Sequence, residues 1–436
     1  MSDLLSLASW GVKRALELGA DEAEVFVSVS TSRDVSSEGV RLKATVSTSQ
    51  AVQVRVAKGK RVASSLATSY SREVVEEVVA RAVEMALKSE EDPHWSGLPD
   101  PQHPRHGWTG FDEGVATVDV EWLAGLAREI ISEAKSDPRL TVSGVNVGAA
   151  YSRVALANSR GVSVEEKGTR FGLGVMLKSG EGTGGSWASS RSLFRDYYEV
   201  LDTAARQAID SSKAVKLGET FKGAVLFRAR PLAQLLANLL VPAVNAMNVL
   251  EGFSPLAGKL GEKVLGNLTL IDDGTMPGGL ATSFFDGEGV ARRGTVLVEK
   301  GVLKNYLHNT YTARRMGVES TGNAARGMGA IAVAPSNLIL TGGGWTEEEL
   351  EREAKVVADG HLLSVHTVNP VTGNFSVVVS NPYQVKGGDA VPVKPLAVSG
   401  NIYEVAALVK PARRVKTTYT NIYAPDTLID GLTISG

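Results

Sequence analysis

The chain contains no cysteine, and this absence removes disulfide bonds, thiolate metal ligands and thiol nucleophiles from consideration. Aromatic residues make up only 6% of the 436 residues, and no basic stripe with interleaved aromatic residues occurs. Acidic and basic residues nearly balance, which leaves a formal net charge of −2. A chain of this charge has no general attraction for nucleic acid or for an anionic membrane surface. We therefore expect no nucleic-acid partner.

The sequence also lacks a long uninterrupted apolar run. The nearest candidate, residues 232–250, contains Gln234, three asparagines and Pro242, whereas a membrane-spanning helix needs about 18 or more predominantly apolar residues. The first residues, MSDLLSLASW, have no basic region ahead of the apolar ones, so they are not typical of a secretory signal. Together with the absence of cysteine, these features predict a cytoplasmic protein without a membrane partner.

The first part of the chain combines helical and strand periodicity in an otherwise ordinary globular composition. A helix is predicted at about 4–18, followed by four short strands between residues 22 and 69 that polar turns separate. A second amphipathic helix is predicted at 72–88. The segment at about 89–116 is rich in proline, glycine and aspartate, and it is typical of an ordered linker.

After the linker the same order of elements starts again. The pattern predicts a helix at about 118–135, four strands near 139–178, a glycine-rich turn at 179–186 and a helix at about 194–212. We interpret this restart as a structural duplication of a helix–four strands–helix unit. The alternative is two α/β subdomains without a common origin, because the residue-level similarity between the two halves is poor.

From residue 221 the chain changes to short strands with many glycines. A β-hairpin is predicted around Lys300-Gly301, and short helices are predicted at about 347–357 and 402–409. We therefore predict an α+β fold. An N-terminal α/β domain would cover residues 1–220, with the linker inside it, and a strand-rich domain of barrel-like or sandwich-like form would cover residues 221–436.

The stretch LLANLLVPAVNAMNVLEG, residues 235–252, reads as a buried helix that Pro242 kinks. Four amide side chains fall within about 80° of one another at about 100° per residue and so form one polar stripe on this helix. They are Gln234, Asn238, Asn245 and Asn248. Because an unpaired buried amide costs roughly 1–3 kcal/mol, these side chains either bond to neighbouring backbone and water, or they line the relic of a peptide cleft.

Acidic residues cluster next to glycine-rich steps in the block 268–290. Asp272 and Asp273 precede GTMPGG, and Asp286 and Glu288 lie in FFDGEG. Paired carboxylates can act as acid and base or bind a divalent cation, but Asp-Gly and Pro-Gly steps are typical of turns. We favour turns here.

Several motifs together resemble the TldD/PmbA family of two-subunit zinc metallopeptidases, whose members are also called modulators of DNA gyrase. The segments that carry the resemblance are LGADEAEVFVS (18–28), EGFSPLAGKLGEKV (251–264), the blocks 268–290 and 294–327, NPVTGNFSVVVS (369–380) and VSGNIYEV (398–405). They extend from one end of the chain to the other. The resemblance implies an N-terminal α/β part and a C-terminal β-rich part. Within 268–290, Gly287 stands where the family pattern has a second aspartate.

In the family's catalytic subunit, the helix at 235–252 carries a zinc motif of the form His-Glu-x-x-x-His. An ungapped comparison puts Ala237 and Pro242 at the two histidine positions and Asn238 at the glutamate position. A cysteine ligand near the C-terminus of that subunit also has no counterpart here. The resemblance therefore implies a TldE/PmbA-type subunit that is inactive alone, with no metal or other cofactor in this chain and zinc in a TldD-like partner.

The same resemblance implies that this chain pairs with a TldD-like catalytic subunit, in a heterodimer or a higher assembly, and acts on unfolded peptides. In the family the block 294–327 borders the peptide cleft and the partner, which adds Asn323 and Arg326 to the candidate cleft residues. Two alternatives stay open. One is a homodimer that binds peptides without cutting them. The other is an independent metallopeptidase with an unrecognised ligand set such as His308, His361 and Asp273.

Overall fold

The structure is a computed structural model that describes residues 3–108, 110–327 and 329–436. It is a mixed α+β fold, which confirms the predicted class. The helices are α1 (Leu4–Glu17), α2 (Arg72–Lys88), α3 (Glu113–Thr117), α4 (Val120–Ala134), α5 (Tyr198–Ser212), α6 (Ala229–Ala243), α7 (Ala246–Leu250), α8 (Thr310–Arg315) and α9 (Glu347–Glu353), with short 3-10 helices at Val365–Thr367 and Ala406–Leu408.

The strands form two large sheets and one small one. The first sheet contains β1 (Glu22–Glu38), β2 (Arg41–Lys58), β3 (Arg61–Ala67), β4 (Thr141–Asn158), β5 (Ser163–Ser179) and β6 (Gly182–Ser190). The later strands are β7 (Phe221–Phe227), β8 (Leu270–Asp273), β9 (Gly294–Glu299), β10 (Val302–Leu303), β11 (Ala324–Arg326), β12 (Ile331–Val333), β13 (Leu338–Leu340), β14 (Val356–Ala358), β15 (Leu362–Leu363), β16 (Asn374–Val379), β17 (Pro382–Lys386), β18 (Asp389–Pro392), β19 (Leu396–Asn401), β20 (Val409–Thr417) and β21 (Ile422–Ser435).

The first sheet is antiparallel throughout, in the order β3-β2-β1-β4-β5-β6. The units α1-β1-β2-β3-α2 and α4-β4-β5-β6-α5 repeat one order of elements, and β1 pairs with β4 where they meet. Each unit has three strands, so the predicted count of four was wrong. The error came from long strands that were divided in two: β2 was split at Gln50, and β4 and β5 were each split near the middle. The predicted turn at 179–186 contains the start of β6.

One face of this sheet carries both pairs of helices. Val25, Val27 and Val35 alternate on the same side of β1. The first two belong to the core beneath α1 and α2, whereas Val35 belongs to the core beneath α4 and α5. The helix pairs therefore cover opposite ends of the long strands, which leaves the other face of the sheet free to contact the second half of the chain.

The segment between α2 and α3 is ordered by that contact. Leu98 is only 1% exposed, and the Asn158 side chain donates to the Pro99 carbonyl at 2.9 Å. The Arg314 guanidinium donates to the carbonyl oxygen of Leu98 at 3.0 Å and also to those of Ser96 and Gly97. Backbone carbonyls of the predicted linker are thus tied to α8 of the strand-rich half.

The second large sheet contains 13 strands, with β21 and β7 paired near its centre. β7 leads directly into α6, whose buried leucines pack into the core of this half. The described residues contain no helix long and apolar enough to cross a membrane. The cytoplasmic location and the domain limits at residues 220 and 221 stay predictions.

Gly184 of β6 gives a test of how closely α5 lies on the first sheet. An ideal Cβ at Gly184 would lie 2.1 Å from the Ala204 carbonyl oxygen and 2.5 Å from the Ala208 nitrogen, both in the helix backbone. Gly184→Ala should therefore lower the free energy of unfolding by about 1–3 kcal/mol, since the helix must shift. The neighbouring Gly185→Ala is the control, because its Cβ would meet nothing nearer than 3.7 Å. Equal urea midpoints for the two variants would contradict this packing.

Candidate functional site

The helix predicted over residues 235–252 is two helices in the structure. α6 ends at Ala243, and the chain then leaves helical geometry to form a parallel bridge between Asn245 and Leu307. The Leu307 N–H donates to the Val244 carbonyl at 2.8 Å, and the Ala246 N–H donates to the Leu307 carbonyl at 3.0 Å. The single kinked helix was therefore a wrong prediction. Tertiary strand pairing at residue 307 ends the helix, and Pro242 lies in its last turn.

The two amides on α6 both contact backbone. The Gln234 Oε1 accepts from the Leu362 N–H at 2.8 Å, which ties α6 to the start of β15. The Asn238 Nδ2 donates to the Gln234 carbonyl at 2.8 Å, one turn earlier in the same helix. Both side chains are half-buried. Gln234 therefore connects two elements, whereas Asn238 only returns to its own helix.

The two later amides are not in helical phase with the first two, because the break precedes them. Asn245 caps α7 through its Oδ1, and its Nδ2 donates to the Val333 carbonyl at 3.0 Å. The Asn248 Nδ2 donates to the Pro242 carbonyl at 2.9 Å, which closes the corner between the two helices. The predicted stripe of four amides does not form as one surface, and each amide finds a backbone partner.

Ala237, Asn238 and Pro242, which the sequence comparison predicts as the positions of the family's zinc motif, lie on the half-exposed face of α6. The Ala237 side chain packs against the core, and the Asn238 amide donates to the Gln234 carbonyl of the same helix. Pro242 offers only its hydrocarbon ring. A hydrolytic zinc site usually needs three nitrogen, sulfur or carboxylate ligands, so these side chains do not fit a zinc ion. In the part of the chain that the structure describes, no group of three or more His, Cys, Asp or Glu residues is placed to hold a metal ion.

Asn323 is fully buried and supports a carboxylate instead of facing a cleft. Its Nδ2 donates to the Asp272 Oδ2 at 2.8 Å and to the Ala334 carbonyl at 3.0 Å. The Ser336 hydroxyl donates to the same Asp272 oxygen at 2.7 Å. Burial outweighs these hydrogen bonds and raises the pKa of Asp272 to about 6.

Arg326 lies where the two halves of the chain meet. Its Nη2 pairs with Glu24 of β1, its Nε donates to the Gly287 carbonyl at 2.6 Å, and its guanidinium lies 4.7 Å from the Phe26 ring centre. Arg55 of β2 pairs with Glu24 at 3.3 Å and with Glu288 at 2.8 Å. These four buried charged groups form a network that joins the first sheet to the strand-rich half.

The acidic residues near this network form turns. The Asp286 Oδ1 accepts from the N–H groups of Glu288 and Val290 at 2.8 and 3.0 Å, and its Oδ2 accepts from the Ala324 N–H at 2.9 Å. The Asp273 Oδ1 accepts from the Thr275 N–H and hydroxyl. These contacts are those of turn carboxylates, as the sequence suggested.

An open cavity of about 1080 Å³ lies beside the N-terminal end of α6. β6 and α5 line it on one side, and β14, β17, β18 and β20 line it on the other. Of the six candidate cleft residues predicted from the sequence, Gln234 lines this cavity and the other five do not. Trp187, Tyr383 and Tyr419 also line it and were missed, because they come from distant segments and share no motif. His361 lines it too, and the sequence suggested it only as a metal ligand.

Most of the cavity's charged groups neutralise one another. Arg206 pairs with Asp359 at 2.9 Å. Arg228, the residue before α6, and Lys416 of β20 both pair with the buried Asp426 at 2.9 Å. The His361 ring stacks on Trp187 with centroids 4.6 Å apart, and burial followed by the charge of Arg230 lowers the pKa of His361. We therefore expect His361 to be neutral at pH 7.

A second cavity of about 760 Å³ contains His308. Burial lowers the pKa of this histidine to about 4, and its Nδ1 lies 3.2 Å from the Thr312 hydroxyl. His361 lines the larger cavity, while Asp273 is held in its own turn. The structure thus does not bring together His308, His361 and Asp273, the ligand set suggested for an independent metallopeptidase.

The long-stranded α/β unit, the strand-rich unit and the helix beside an open cavity define a two-part α+β fold. Three family models cover most of the chain: PmbA/TldA metallopeptidase domain 1 matches residues 23–86, the central domain matches 113–212, and the C-terminal domain matches 220–436. The chain belongs to the PmbA/TldD metallopeptidase family, which confirms the resemblance inferred from its motifs.

Relatives and solved structures agree with this assignment. An uncharacterized protein of Methanocaldococcus jannaschii is 33% identical over 82% of this chain and 83% of its own length. The metalloprotease PmbA of Escherichia coli O157:H7 is 25% identical over 98% and 95%. The crystal structure of TldE from Thermococcus kodakarensis superposes with a TM-score of 0.88 at 24% identity, covering 99% of each chain. At that identity the superposition shows the same fold.

Removing the Gln234 side chain and removing the Asn238 side chain should change the free energy of unfolding by different amounts. Gln234→Ala leaves the buried Leu362 N–H without its partner, so the free energy of unfolding should fall by about 1–3 kcal/mol. Asn238→Ala removes only a bond within α6 and introduces a better helix former, so we expect a change within about 0.5 kcal/mol. Urea unfolding of both variants checks this. A larger loss for Asn238→Ala would show that the two roles are reversed.

The raised pKa of Asp272 gives a pH test. Because the folded-state pKa of about 6 lies above the model value of 3.8, folding favours the neutral acid, and this contribution is lost as pH rises from about 4 through 6. The free energy of unfolding of the wild type, minus that of Asp272→Asn, should fall by up to about 3 kcal/mol between pH 4 and 7. A difference that does not vary with pH would contradict the assignment.

Proposed function

We propose that this chain is the non-catalytic, TldE/PmbA-like subunit of a TldD/TldE-type zinc metalloprotease. Its role would be to help form the cleft that holds unfolded peptide, while a TldD-like partner supplies the zinc. The observation that carries the proposal is the face of α6. Ala237, Asn238 and Pro242 occupy the positions of the metal motif there and offer no ligand set, yet the same helix borders an open cavity.

The cavity offers strand edges to an extended peptide. The N–H groups of Thr183 and Gly185 point away from β5 and donate to side chains of α5 at 2.9 and 3.2 Å. Since directions alternate along an antiparallel strand, the N–H groups of Trp187 and Ser189 point to the same outer edge of β6. Trp187 lines the cavity, and Gly388 and Ala390 next to β17 line the opposite wall. Peptides commonly add to such edges through main-chain hydrogen bonds.

The size of the cavity favours unfolded substrates. Small-molecule pockets span about 300–1,000 Å³, and this cavity lies near the upper end at about 1080 Å³. Such a space takes a short extended segment but not a folded domain. A complex built on it would therefore act on unfolded peptides and leave folded proteins intact.

Zinc content and peptidase activity together test this function. The untagged chain is incubated with excess Zn²⁺, desalted and analysed by mass spectrometry. It is then mixed with an unfolded peptide, alone and with a TldD-like subunit. We expect negligible zinc, no cleavage by the chain alone, and faster cleavage by the pair than by the TldD-like subunit alone. A partner variant that lacks its motif glutamate is the control and should give no cleavage.

Other outcomes would favour the alternatives. Stoichiometric zinc retained against mild chelation, with cleavage that His308→Ala or His361→Ala abolishes, would establish an independent metallopeptidase. Peptide binding by a stable homodimer that gains nothing from a TldD-like subunit would establish a peptide-binding protein without proteolysis. Either result would replace the proposal.

A further inference from the structure

Arg230, the second residue of α6, is held in the large cavity by aromatic rings on both sides. Its guanidinium carbon lies 5.2 Å from the Trp187 ring centre and 4.9 Å from the Tyr419 ring centre. The Nη1 donates to the Ser186 hydroxyl at 2.5 Å, and His361 stacks on the Trp187 ring. The guanidinium is therefore held against two aromatic rings that line the cavity.

Arg230 forms no direct ion pair with any acidic residue that the structure describes. The neighbouring cations Arg206, Arg228 and Lys416 each form an ion pair. Among the residues that the structure describes, no carboxylate oxygen lies within 4.0 Å of the Arg230 guanidinium. Burial lowers the pKa of Arg230, and the charges of Glu199 and Asp359 only partly offset this effect, since neither carboxylate pairs with it directly. Buried charges are normally paired, which indicates that an anion from outside completes the site.

The surroundings select a planar anion with a single negative charge. An arginine has five N–H donors in a fixed fork that matches a carboxylate in two parallel bonds, and here one donor is committed to Ser186. The rings on both faces limit the approach to the edge of the fork. The cavity also contains six acidic side chains, which disfavour a doubly charged phosphate. They are Glu199, Glu347, Glu348, Glu351, Asp359 and Asp426.

The backbone conformation of Tyr419 indicates that its ring is held in place against Arg230. Its φ of 58° lies in the left-handed region, which is unfavourable for a residue with a side chain. Such strain persists only where the surroundings enforce it, and it clusters at ligand clamps and active sites. The Tyr419 hydroxyl lies 3.4 Å from Glu199, and its ring covers Arg230. The conformation thus holds the ring against the guanidinium.

We propose that Arg230, clamped between Trp187 and Tyr419, binds the C-terminal carboxylate of an extended peptide in this cavity. The inference rests on the proposed function as a peptide-holding subunit, and it adds the direction in which the bound peptide would run. The peptide would run along the outer edge of β6 with its C-terminus at the first turn of α6.

A peptide in two chemical forms tests the proposal. An unfolded peptide with an N-terminal fluorophore is made as the free acid and as the C-terminal amide. Binding is measured by anisotropy, with the chain alone and with its complex with a TldD-like subunit. The acid should bind at least roughly tenfold more tightly than the amide, as charged hydrogen bonds require. Arg230→Gln should abolish that difference, and Arg230→Lys should keep part of it, because lysine retains the charge without the fork.

The matched control is Arg81→Gln, which removes an exposed arginine that pairs with Glu77 on the distant α2. It should leave the preference for the acid unchanged, and circular dichroism confirms that each variant is folded. Equal binding of acid and amide by the wild type would overturn the role of Arg230 and leave the proposed function standing. Equally tight binding of an amidated peptide with an internal glutamate would overturn the terminal assignment. No binding of either form, to chain or complex, would overturn both proposals.

Discussion

The buried ion pairs among Glu24, Arg55, Glu288 and Arg326 are the interaction on which the remaining architecture depends. Removing an ion from water costs several kcal/mol unless a partner and hydrogen bonds replace the solvent. Glu24 is completely buried and binds both arginines, while Glu288 binds Arg55 and accepts from a backbone N–H of α8. The network thus fixes the first sheet against the strand-rich half and sets the position of β6 opposite α6.

Local patterns predicted the elements that depend on local physics. The helix at 72–88 was placed correctly because Ser71 caps it and its valines repeat at helical spacing. The long strands were divided because polar stretches within them, such as the residues around Gln50 of β2, resemble turns in sequence. The helix at 235–252 was extended too far because its end depends on Leu307, a strand residue distant in sequence. Tertiary pairing overrode propensity in both cases.

The candidate site also contains one part that local sequence predicts and one part that depends on contacts between distant segments. The family assignment could be inferred from motifs, since each of those is a run of contiguous residues. The loss of the zinc ligands, inferred from one helix, stays a prediction. The cavity could not be inferred, because Trp187, Arg230, His361 and Tyr419 lie on separate elements that meet only after the two halves dock. The glycines that precede Trp187 also made its strand hard to recognise from the sequence. Those glycines were read as a turn, whereas their role is to let α5 lie on β6.

In the proposed function, the distance between residues 237–242 and the first turn of α6 would let the chain lack a metal site and still hold a peptide. Arg230 and Ala237 are seven residues apart on α6, which is about 10 Å along the axis at about 1.5 Å per residue. In the proposed function, metal binding would require ligand side chains at residues 237, 238 and 242, which extend from the middle of α6 to its last turn. Holding a peptide would require a strand edge and a fixed charge at the first turn, and neither depends on those three residues. A chain without metal ligands there can therefore still maintain the cavity between its docked sheets.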